Sequence, residues 1–349
     1  MSNKFAFGAR VALLLGAHAL PIRLGLEWFL NPDHLPLVVA LREGYFAEAG
    51  LEVELVEPAD HWEAETEILE GRLDVAVTET LHLAQDAAAG KPVFGFSRFL
   101  HTDGGVMFLR GHNISRPSDM CGATISYPGS PGPGGPAIVG TMIEADGGSC
   151  DPASFKRHNG GFYHTAALES GAADVSTLIF ANFEAVEARA RGLDADFFSL
   201  KDWGVPDFCQ LVLFTTPQRF RELKPYLRKL VLAMRRATGL IHRDPARARA
   251  VWAAHLRARR AAAPAAPAGV AALLRRALRS LSPVGLVGRL RAARTDRKTM
   301  EATLPAFPND NSLAADYFTG LMHWLVTTGQ VERTGVAAAA AYWTNEIAL

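Results

Sequence analysis

Short apolar runs alternate with stretches of helical periodicity along most of this chain, and that alternation constrains its fold more than any other feature. Repeated strand–helix units of this kind predict a mostly parallel sheet covered by helices. Ligands on such sheets bind beyond the carboxyl ends of the strands, so we seek function in the loops that follow strands. The first hundred residues predict strands and helices in this order: Ile22–Phe29, His34–Gly50, Leu51–Val56, 61–70, Asp74–Thr78, Leu81–Ala89 and Val93–Phe99.

A second series of the same kind begins near residue 105, and a long apolar strand at Gln210–Thr215 then precedes a helical region. The chain therefore passes from one α/β lobe to another and back, and two such crossings create a cleft between the lobes. We assign the first part of lobe 1 to 21–105, lobe 2 to 106–205, and the return to lobe 1 with C-terminal helices to 206–349.

The amino terminus has the pattern of a secretory signal peptide. Lys4 and Arg10 precede a short apolar run at 11–17, and a small-x-small triplet follows at 17–19. A cleaved segment at 1–20 would place the protein in the periplasm or another extracytoplasmic compartment. The alternative is a first strand with polar flanks, which would leave the protein in the cytoplasm. No other stretch is apolar over about 18 residues, so we expect no transmembrane helix.

The formal net charge of zero hides a strong asymmetry. Between Arg243 and Lys298, 14 basic residues face only Asp244 and Asp296, a local balance of +12 in an otherwise acidic chain. An Ala/Arg-rich insertion at about 257–298 carries most of this charge. It is either a basic amphipathic helix for a membrane surface or a solvated, partly disordered insertion interrupted by prolines. The neutral total gives no reason to expect nucleic acid as a partner.

Three cysteines in 349 residues do not form a disulfide framework or a zinc site. Cys121 opens a predicted strand and Cys150 follows the helix after it, so an antiparallel return brings the two thiols near each other. They form either a disulfide or two separately buried thiols. The histidines at 101, 112, 158 and 164 are scattered over different loops, and we predict no metal site and no cofactor.

The first candidate site follows the first strand, in the segment LEWFLNPDH. Trp28 offers a flat face for stacking, Asn31 a paired donor and acceptor, and His34 either role according to its tautomer. This set suits a planar nitrogen heterocycle. The alternative is that Trp28 is a core residue and that His34 caps a helix or is otherwise satisfied.

A glycine- and proline-rich loop at 126–136 forms the second candidate site. It lies between a strand and a helix, so free amides at a helix amino terminus could bind an anion or a polar group. We expect Tyr127, Pro128 and Gly129 to contact the ligand. A purely structural turn is the alternative, because the loop matches no known phosphate-binding motif.

The third candidate site combines two further loops of the predicted second lobe and its return crossing. Asn182 and Glu184 follow a strand, and Trp203 and Gln210 flank the return crossing. Glu184 could accept paired hydrogen bonds from an amino-pyrimidine edge, and Gln210 could supply one donor and one acceptor. A surface helix and a hinge are the alternatives.

These segments resemble proteins that handle the pyrimidine of thiamine. The runs LEWFLNPDHLPLVVALREGYFAEAGLEVELVEPAD, SYPGSPGPGGPAIVGTMIEADGG and DWGVPDFCQLVL carry the resemblance over about 22–250, and more weakly over 299–330. The family comprises substrate-binding proteins of bacterial ABC importers for formyl-aminopyrimidine or hydroxymethylpyrimidine, together with a fungal pyrimidine synthase. The resemblance implies an α/β protein with the type II periplasmic-binding-protein fold, in which two lobes enclose the ligand.

The resemblance implies a monomeric, non-catalytic receptor that delivers a pyrimidine-like molecule to an ABC permease. Two alternatives stay open: a synthase-like enzyme that uses His34, and a cytosolic sensor on the same fold. The synthases carry a cysteine cluster where this chain reads VPDFC, so only Cys209 remains, and this departure disfavours synthase chemistry. The importer proteins tend to carry an acid where Gln210 stands, and the insertion has no counterpart in the family.

Overall fold

The computed structural model describes residues 19–59, 63–127, 134–161, 163–262, 296–338 and 341–348. The predicted signal peptide at 1–20 falls almost entirely outside these residues, as do Pro128, Gly129 and most of the insertion at 257–298. The strands are β1 (Leu20–Gly25), β2 (Leu51–Val56), β3 (Val75–Glu79), β4 (Phe94–His101), β5 (Gly104–Leu109), β6 (Thr124–Tyr127), β7 (Lys156–Asn159), β8 (Val175–Phe180), β9 (Ala195–Ser199) and β10 (Gln210–Thr215).

The helices cover both faces of the sheets, as the strand–helix alternation predicts. They are α1 (Leu35–Arg42), α2 (Tyr45–Glu48), α3 (Ala64–Leu69), α4 (Thr80–Ala88), α5 (Gly134–Ala145), α6 (His164–Glu169), α7 (Glu184–Arg191), α8 (Pro217–Arg243), α9 (Pro245–Ala262), α10 (Ala315–Thr327) and α11 (Arg333–Ala338). Residues 296–303 are also helical. Within the described residues, no helix has the length and apolar character needed to cross a bilayer.

The two sheets share one topology, with strand orders β2-β1-β3-β10-β4 and β7-β6-β8-β5-β9. Each sheet has one strand that is antiparallel to both of its neighbours: β10 in the first sheet and β5 in the second. Each of these strands directly follows a crossover from the other lobe. The predicted fold of two α/β lobes joined by two crossover segments is therefore confirmed. Each lobe presents the carboxyl ends of its parallel strands to the junction, where ligands bind in such folds.

Two element boundaries differ from the sequence expectation for local reasons. The helix predicted over His34–Gly50 is divided into α1 and α2 because Gly44 adopts a left-handed φ of +77° between them. The strand predicted over Ile22–Phe29 ends at Gly25, where its pairing with Val56 ends. The chain then bends away from the sheet and carries Glu27 and Trp28 into the junction.

The two crossover segments lie against each other and form the hinge between the lobes. The amide of Thr102 donates to the carbonyl of Cys209 over 3.1 Å. Gly104 permits this approach, since a Cβ at that position would lie 2.3 Å from the sulfur of Cys209. The Cys209 thiol is buried, and burial raises its pKa well above the ordinary value. Cys209 therefore packs the hinge as a protonated thiol.

Candidate functional site

The loop after β1 is held rigid by a capping box around a 3-10 turn at Pro32–His34. The Asn31 side chain accepts from the amide of Asp33 over 2.8 Å, and the Asn31 amide donates to Nδ1 of His34 over 3.2 Å. Because Nδ1 is an acceptor, the proton of the neutral ring lies on Nε2. The loop therefore has one defined conformation, which fixes the position of the neighbouring Trp28.

His34 is fully buried and uses both ring nitrogens within the protein. Its Nε2 lies 3.0 and 3.1 Å from the two carboxylate oxygens of Glu27. These contacts agree with the alternative stated above, in which His34 caps a helical turn and its ring nitrogens already have hydrogen-bond partners. The ring does not line the cavity that is described next. His34 instead holds Glu27, which does line that cavity.

A cavity of about 30 Å³, partly open to solvent, lies where the two lobes meet. A water molecule needs roughly 10–15 Å³ of such space, so the cavity admits one or two waters and is too small for a six-membered ring. Both lobes contribute to its wall: Glu27, Trp28, Asn31, Asp33, Glu79 and Leu211 from lobe 1, and Leu178, Phe180, Phe183 and Glu184 from lobe 2. Aromatic faces and carboxyl groups dominate this lining.

Glu184 begins α7 and presents a protonated carboxyl group to the cavity. Burial, together with the charge of Asp33, raises its pKa to about 8, although a hydrogen bond from the amide of Phe180 opposes the shift. That amide donates to Oε2 over 2.8 Å. A neutral carboxyl group both donates and accepts hydrogen bonds, which a carboxylate cannot do.

Trp28 of lobe 1 faces His164 of lobe 2 across the junction. The two rings are nearly parallel, with an interplanar angle of 10° and ring centroids 5.8 Å apart. Burial lowers the pKa of His164 to about 4, so the imidazole is neutral near pH 7. Its Nδ1 is buried and has no hydrogen-bond partner in the described part of the chain. His164 therefore offers both a stacking face and a free ring nitrogen.

Asn182 links lobe 2 to two other parts of the molecule. Its Nδ2 donates to Oδ1 of Asp33 in lobe 1 and, over 2.8 Å, to the hydroxyl of Thr303. Desolvation raises the pKa of Asp33 to about 6 despite the neighbouring His34 and the hydrogen bond from Asn182. Asp33 is therefore mainly ionised at neutral pH, and the bond from Asn182 is charge-assisted.

A second polar link between the lobes runs from Glu79 through His82 to Tyr127. Nδ1 of His82 lies 2.7 Å from Oε2 of Glu79, and Nε2 lies 3.1 Å from the Tyr127 hydroxyl. Burial lowers the pKa of His82, but the Glu79 carboxylate outweighs it and the net shift is upward. Burial also raises the pKa of Tyr127, so the phenol remains protonated. Tyr127 therefore contacts the opposite lobe instead of lining the cavity.

The cavity lining leaves out His34 and Tyr127, described above, and also Gln210 and Trp203, all four of them predicted site residues. Gln210 is buried, but its amide accepts from Arg98 over 3.0 Å and donates to the carbonyl of Asp207 over 2.6 Å. Successive strand residues face opposite sides, so Leu211 points to the cavity and Gln210 points away. Trp203 packs edge-on against Phe198 of lobe 2, with ring centroids 6.2 Å apart, and also lies outside the cavity lining.

The predicted residues that the structure brings together at the junction are Trp28, Asn31, Asn182 and Glu184. The residues that the sequence prediction missed are Glu27, Asp33, Glu79, His164, Leu178, Phe180, Phe183 and Leu211. Glu79 ends strand β3, so the rule that ligands bind beyond the carboxyl ends of strands could have identified it. Leu178 enters the cavity at a bulge in β8 with a left-handed φ of +58°, and the sequence gives no signal for this.

Cys121 and Cys150 are joined by a disulfide within lobe 2. It connects the turn before β6 to the segment after α5, at the end of the sheet opposite the cavity. Among the described residues, no group of three or more His, Cys, Asp or Glu side chains is arranged to hold a metal ion.

Comparison with known proteins gives a family match over most of the chain. A family model described as NMT1/THI5 like matches residues 31–248. The match includes the 3-10 turn at Pro32–His34, both crossover segments and every residue of the cavity lining except Glu27 and Trp28.

Two curated relatives carry different functional names. A formylaminopyrimidine-binding protein from Halalkalibacterium halodurans is 30% identical over 195 residues, which cover 56% of this chain and 58% of that protein. A 4-amino-5-hydroxymethyl-2-methylpyrimidine phosphate synthase from Legionella pneumophila is 28% identical over 167 residues, 48% of this chain and 51% of that enzyme. The chain thus spans little more than half of each of these two relatives.

The fold also matches solved structures over nearly the whole chain. The alkanesulfonate-binding protein SsuA from Xanthomonas axonopodis pv. citri superposes with a TM-score of 0.63 at 14% identity, covering 93% of this chain and 98% of that one. At this identity the match establishes the fold alone, which is that of periplasmic binding proteins.

Proposed function

Because this chain belongs to the NMT1/THI5-like family, we propose that it is a solute-binding receptor for a small pyrimidine of the formyl-aminopyrimidine or hydroxymethylpyrimidine type. The observation that carries this proposal is the cavity at the lobe junction. There the indole of Trp28 and the carboxyl group of Glu184, which come from different lobes, face the same space. The name of the Halalkalibacterium relative supports the choice of ligand class.

The chemistry of the lining suits an aminopyrimidine. The heterocycle has a flat face for Trp28 and an edge on which an amino group stands beside a ring nitrogen. The neutral carboxyl of Glu184 can accept from the amino group and donate to the ring nitrogen, as an amide would. Glu27, Asp33 and Glu79 supply further acceptors for amino hydrogens.

Capture requires the lobes to separate, because the cavity of about 30 Å³ cannot receive a pyrimidine ring. The hinge at Thr102 and Cys209 allows this motion, and closure then surrounds the ligand with both lobes. The contacts from Asn182 to Asp33 and from Tyr127 to His82 form only when the lobes are close. They therefore favour the closed state, and the ligand adds to them.

We also propose an extracytoplasmic location and an ABC permease as the membrane partner. The disulfide between Cys121 and Cys150 supports the location, because disulfides persist in oxidising compartments and are rare in the cytosol. The permease partner belongs to the same proposal, since the receptor of an ABC importer delivers its captured ligand to the permease.

The synthase alternative receives less support from the geometry. It requires His34 to act as a reactant or base, yet both ring nitrogens of His34 are engaged and the ring lies outside the cavity lining. It also requires a reactive Cys209, whereas that thiol is buried in the hinge with its pKa raised. The name of the Legionella relative keeps this alternative worth testing.

Thermal unfolding with added pyrimidines tests the proposal. Formyl-aminopyrimidine or hydroxymethylpyrimidine is expected to raise the melting temperature through preferential binding to the folded state. Trp28→Ala should abolish most of that increase, and Trp203→Phe should preserve it. The absence of any increase with either pyrimidine at millimolar concentration would overturn the receptor assignment. Bound pyridoxal phosphate or iron, detected as a visible absorbance or a lysine adduct, would favour the synthase instead.

A further inference from the structure

Helix α8 carries a straight row of basic side chains on its outer face. Arg221, Arg228 and Arg235 follow one another at intervals of seven residues, and Arg243 continues the row after eight. Seven or eight residues are close to two helical turns, so these four positions share one face over roughly 33 Å. The opposite face packs on the core of lobe 1 through Leu223, Leu230 and Ile241.

None of these four arginines forms an ion pair within the described residues, and neither does the adjacent Lys229. Other basic residues of α8 differ in this respect: Arg219 pairs with Asp74 and Glu222, and Arg236 with Glu48. Over Pro217–Ala262, 13 basic residues stand against only Glu222 and Asp244, and five of the 13 pair with carboxylates of other elements. The arginine row is thus a local excess of positive charge, which attracts a surface of opposite charge.

One apolar side chain is exposed within this basic face. Leu232 lies between Arg228 and Arg235 and is 44% exposed, whereas Tyr226, beneath the ammonium of Lys229, lies on the flank of the helix nearer the buried side. Long basic side chains around an exposed leucine are typical of a helix that lies on a bilayer, where apolar groups enter between the headgroups. A nucleic-acid backbone would match the charges but would leave Leu232 without a contact.

We propose that the outer face of α8 binds an anionic phospholipid surface. The row lies on the flank of lobe 1, and no residue of α8 lines the cavity at the lobe junction. Attachment to a membrane would therefore leave the cleft accessible.

Vesicle co-sedimentation of the full chain tests this surface. Binding is expected to vesicles that contain phosphatidylglycerol, to be absent with pure phosphatidylcholine, and to weaken as salt rises from about 0.05 to about 0.5 M. A basic residue near such a surface contributes about fivefold to binding, so the double variant Arg221→Gln/Arg228→Gln should lose about 25-fold. Leu232→Ser should lose a further fewfold.

A matched variant in lobe 2, Lys156→Gln/Arg189→Gln, removes the same charge from exposed positions and should bind within twofold of the unaltered protein. Melting temperatures would verify that every variant folds. Equal binding to both vesicle types, or unchanged binding of the α8 variant, would overturn the proposal. Tighter binding to a short DNA duplex than to the anionic vesicles at the same salt would overturn it in favour of a nucleic-acid surface. The vesicle assay contains no pyrimidine, so its result is independent of whether the receptor proposal is correct.

Discussion

The indole of Trp28 and the imidazole of His164 are stacked across the lobe junction, with ring centroids 5.8 Å apart and ring planes within 10° of parallel. A planar ring between them needs about 7 Å, two contact distances of about 3.5 Å each. The rings must therefore separate by at least about 1 Å to hold a pyrimidine. Because the two rings belong to different lobes, we expect lobe opening to separate them and closure to bring them onto the two faces of a ligand ring.

Substitution of either wall should weaken pyrimidine binding. Removal of an aromatic partner from a stacked base costs about 1–3 kcal/mol, so Trp28→Ala should raise the Kd by about 5- to 150-fold. His164→Ala should cost a similar or smaller amount, and His164→Phe should recover the stacking part alone. Isothermal titration calorimetry measures these values. Trp203→Phe is the control, and a Kd for Trp28→Ala within twofold of the unaltered protein would contradict the stacking site.

The protonated state of Glu184 should make ligand affinity depend on pH. If the neutral carboxyl pairs with the aminopyrimidine edge, affinity is constant below its pKa of about 8 and falls roughly tenfold per unit above it. Glu184→Gln keeps one donor and one acceptor, so its affinity should be similar at pH 7 and level up to pH 9.5. An unaltered protein with no loss of affinity at pH 9.5 would refute this role.

The raised pKa of Glu184 should also make the free energy of unfolding depend on pH. Its folded-state pKa of about 8 exceeds the ordinary value of 4.5, so the folded state retains a proton that the unfolded chain releases. The contribution of Glu184 to the free energy of unfolding is therefore highest below pH 4.5 and is lost as the pH rises to about 8. Thermal unfolding should show Glu184→Gln gaining stability relative to the unaltered protein across this interval. A constant difference between the two proteins would show that Glu184 is ionised.

Asn182 should control how readily the lobes close. Asn182→Ala removes the hydrogen bond to the ionised Asp33, a kind of bond worth about 1.5–3 kcal/mol, and should weaken binding of the ligand. Asn182→Asp should weaken it more, because two carboxylates would then meet at the junction. Small-angle X-ray scattering should detect a larger radius of gyration for the aspartate variant. Thr303→Val is the comparison variant, because it keeps the bond from Asn182 to Asp33 and removes the bonds of the Thr303 hydroxyl, which include those with Asn182 and the carbonyl of Thr299.

The fold was largely predictable from the sequence because strand and helix periodicities are local. The site was less so, because it depends on which side of a strand a residue faces. Gln210 and Leu211 illustrate this. The side chain of Gln210 was predicted to hydrogen-bond the ligand, but it is the adjacent Leu211 that lines the cavity. His164 was found only in the structure, since its approach to Trp28 depends on how the two lobes are placed.

The disulfide between Cys121 and Cys150 should stabilise lobe 2 without affecting ligand binding. It closes a loop with a sequence separation of 29 residues, for which chain-entropy arguments give about 3–4 kcal/mol. Dithiothreitol, or the double variant Cys121→Ser/Cys150→Ser, should therefore lower the melting temperature by several degrees and change the Kd less than twofold. Cys209→Ala should keep its sensitivity to the reductant, because its thiol takes no part in the bond. If the reductant left the melting temperature of the unaltered protein unchanged, the two thiols would be separate and the argument for an oxidising compartment would lose its structural support.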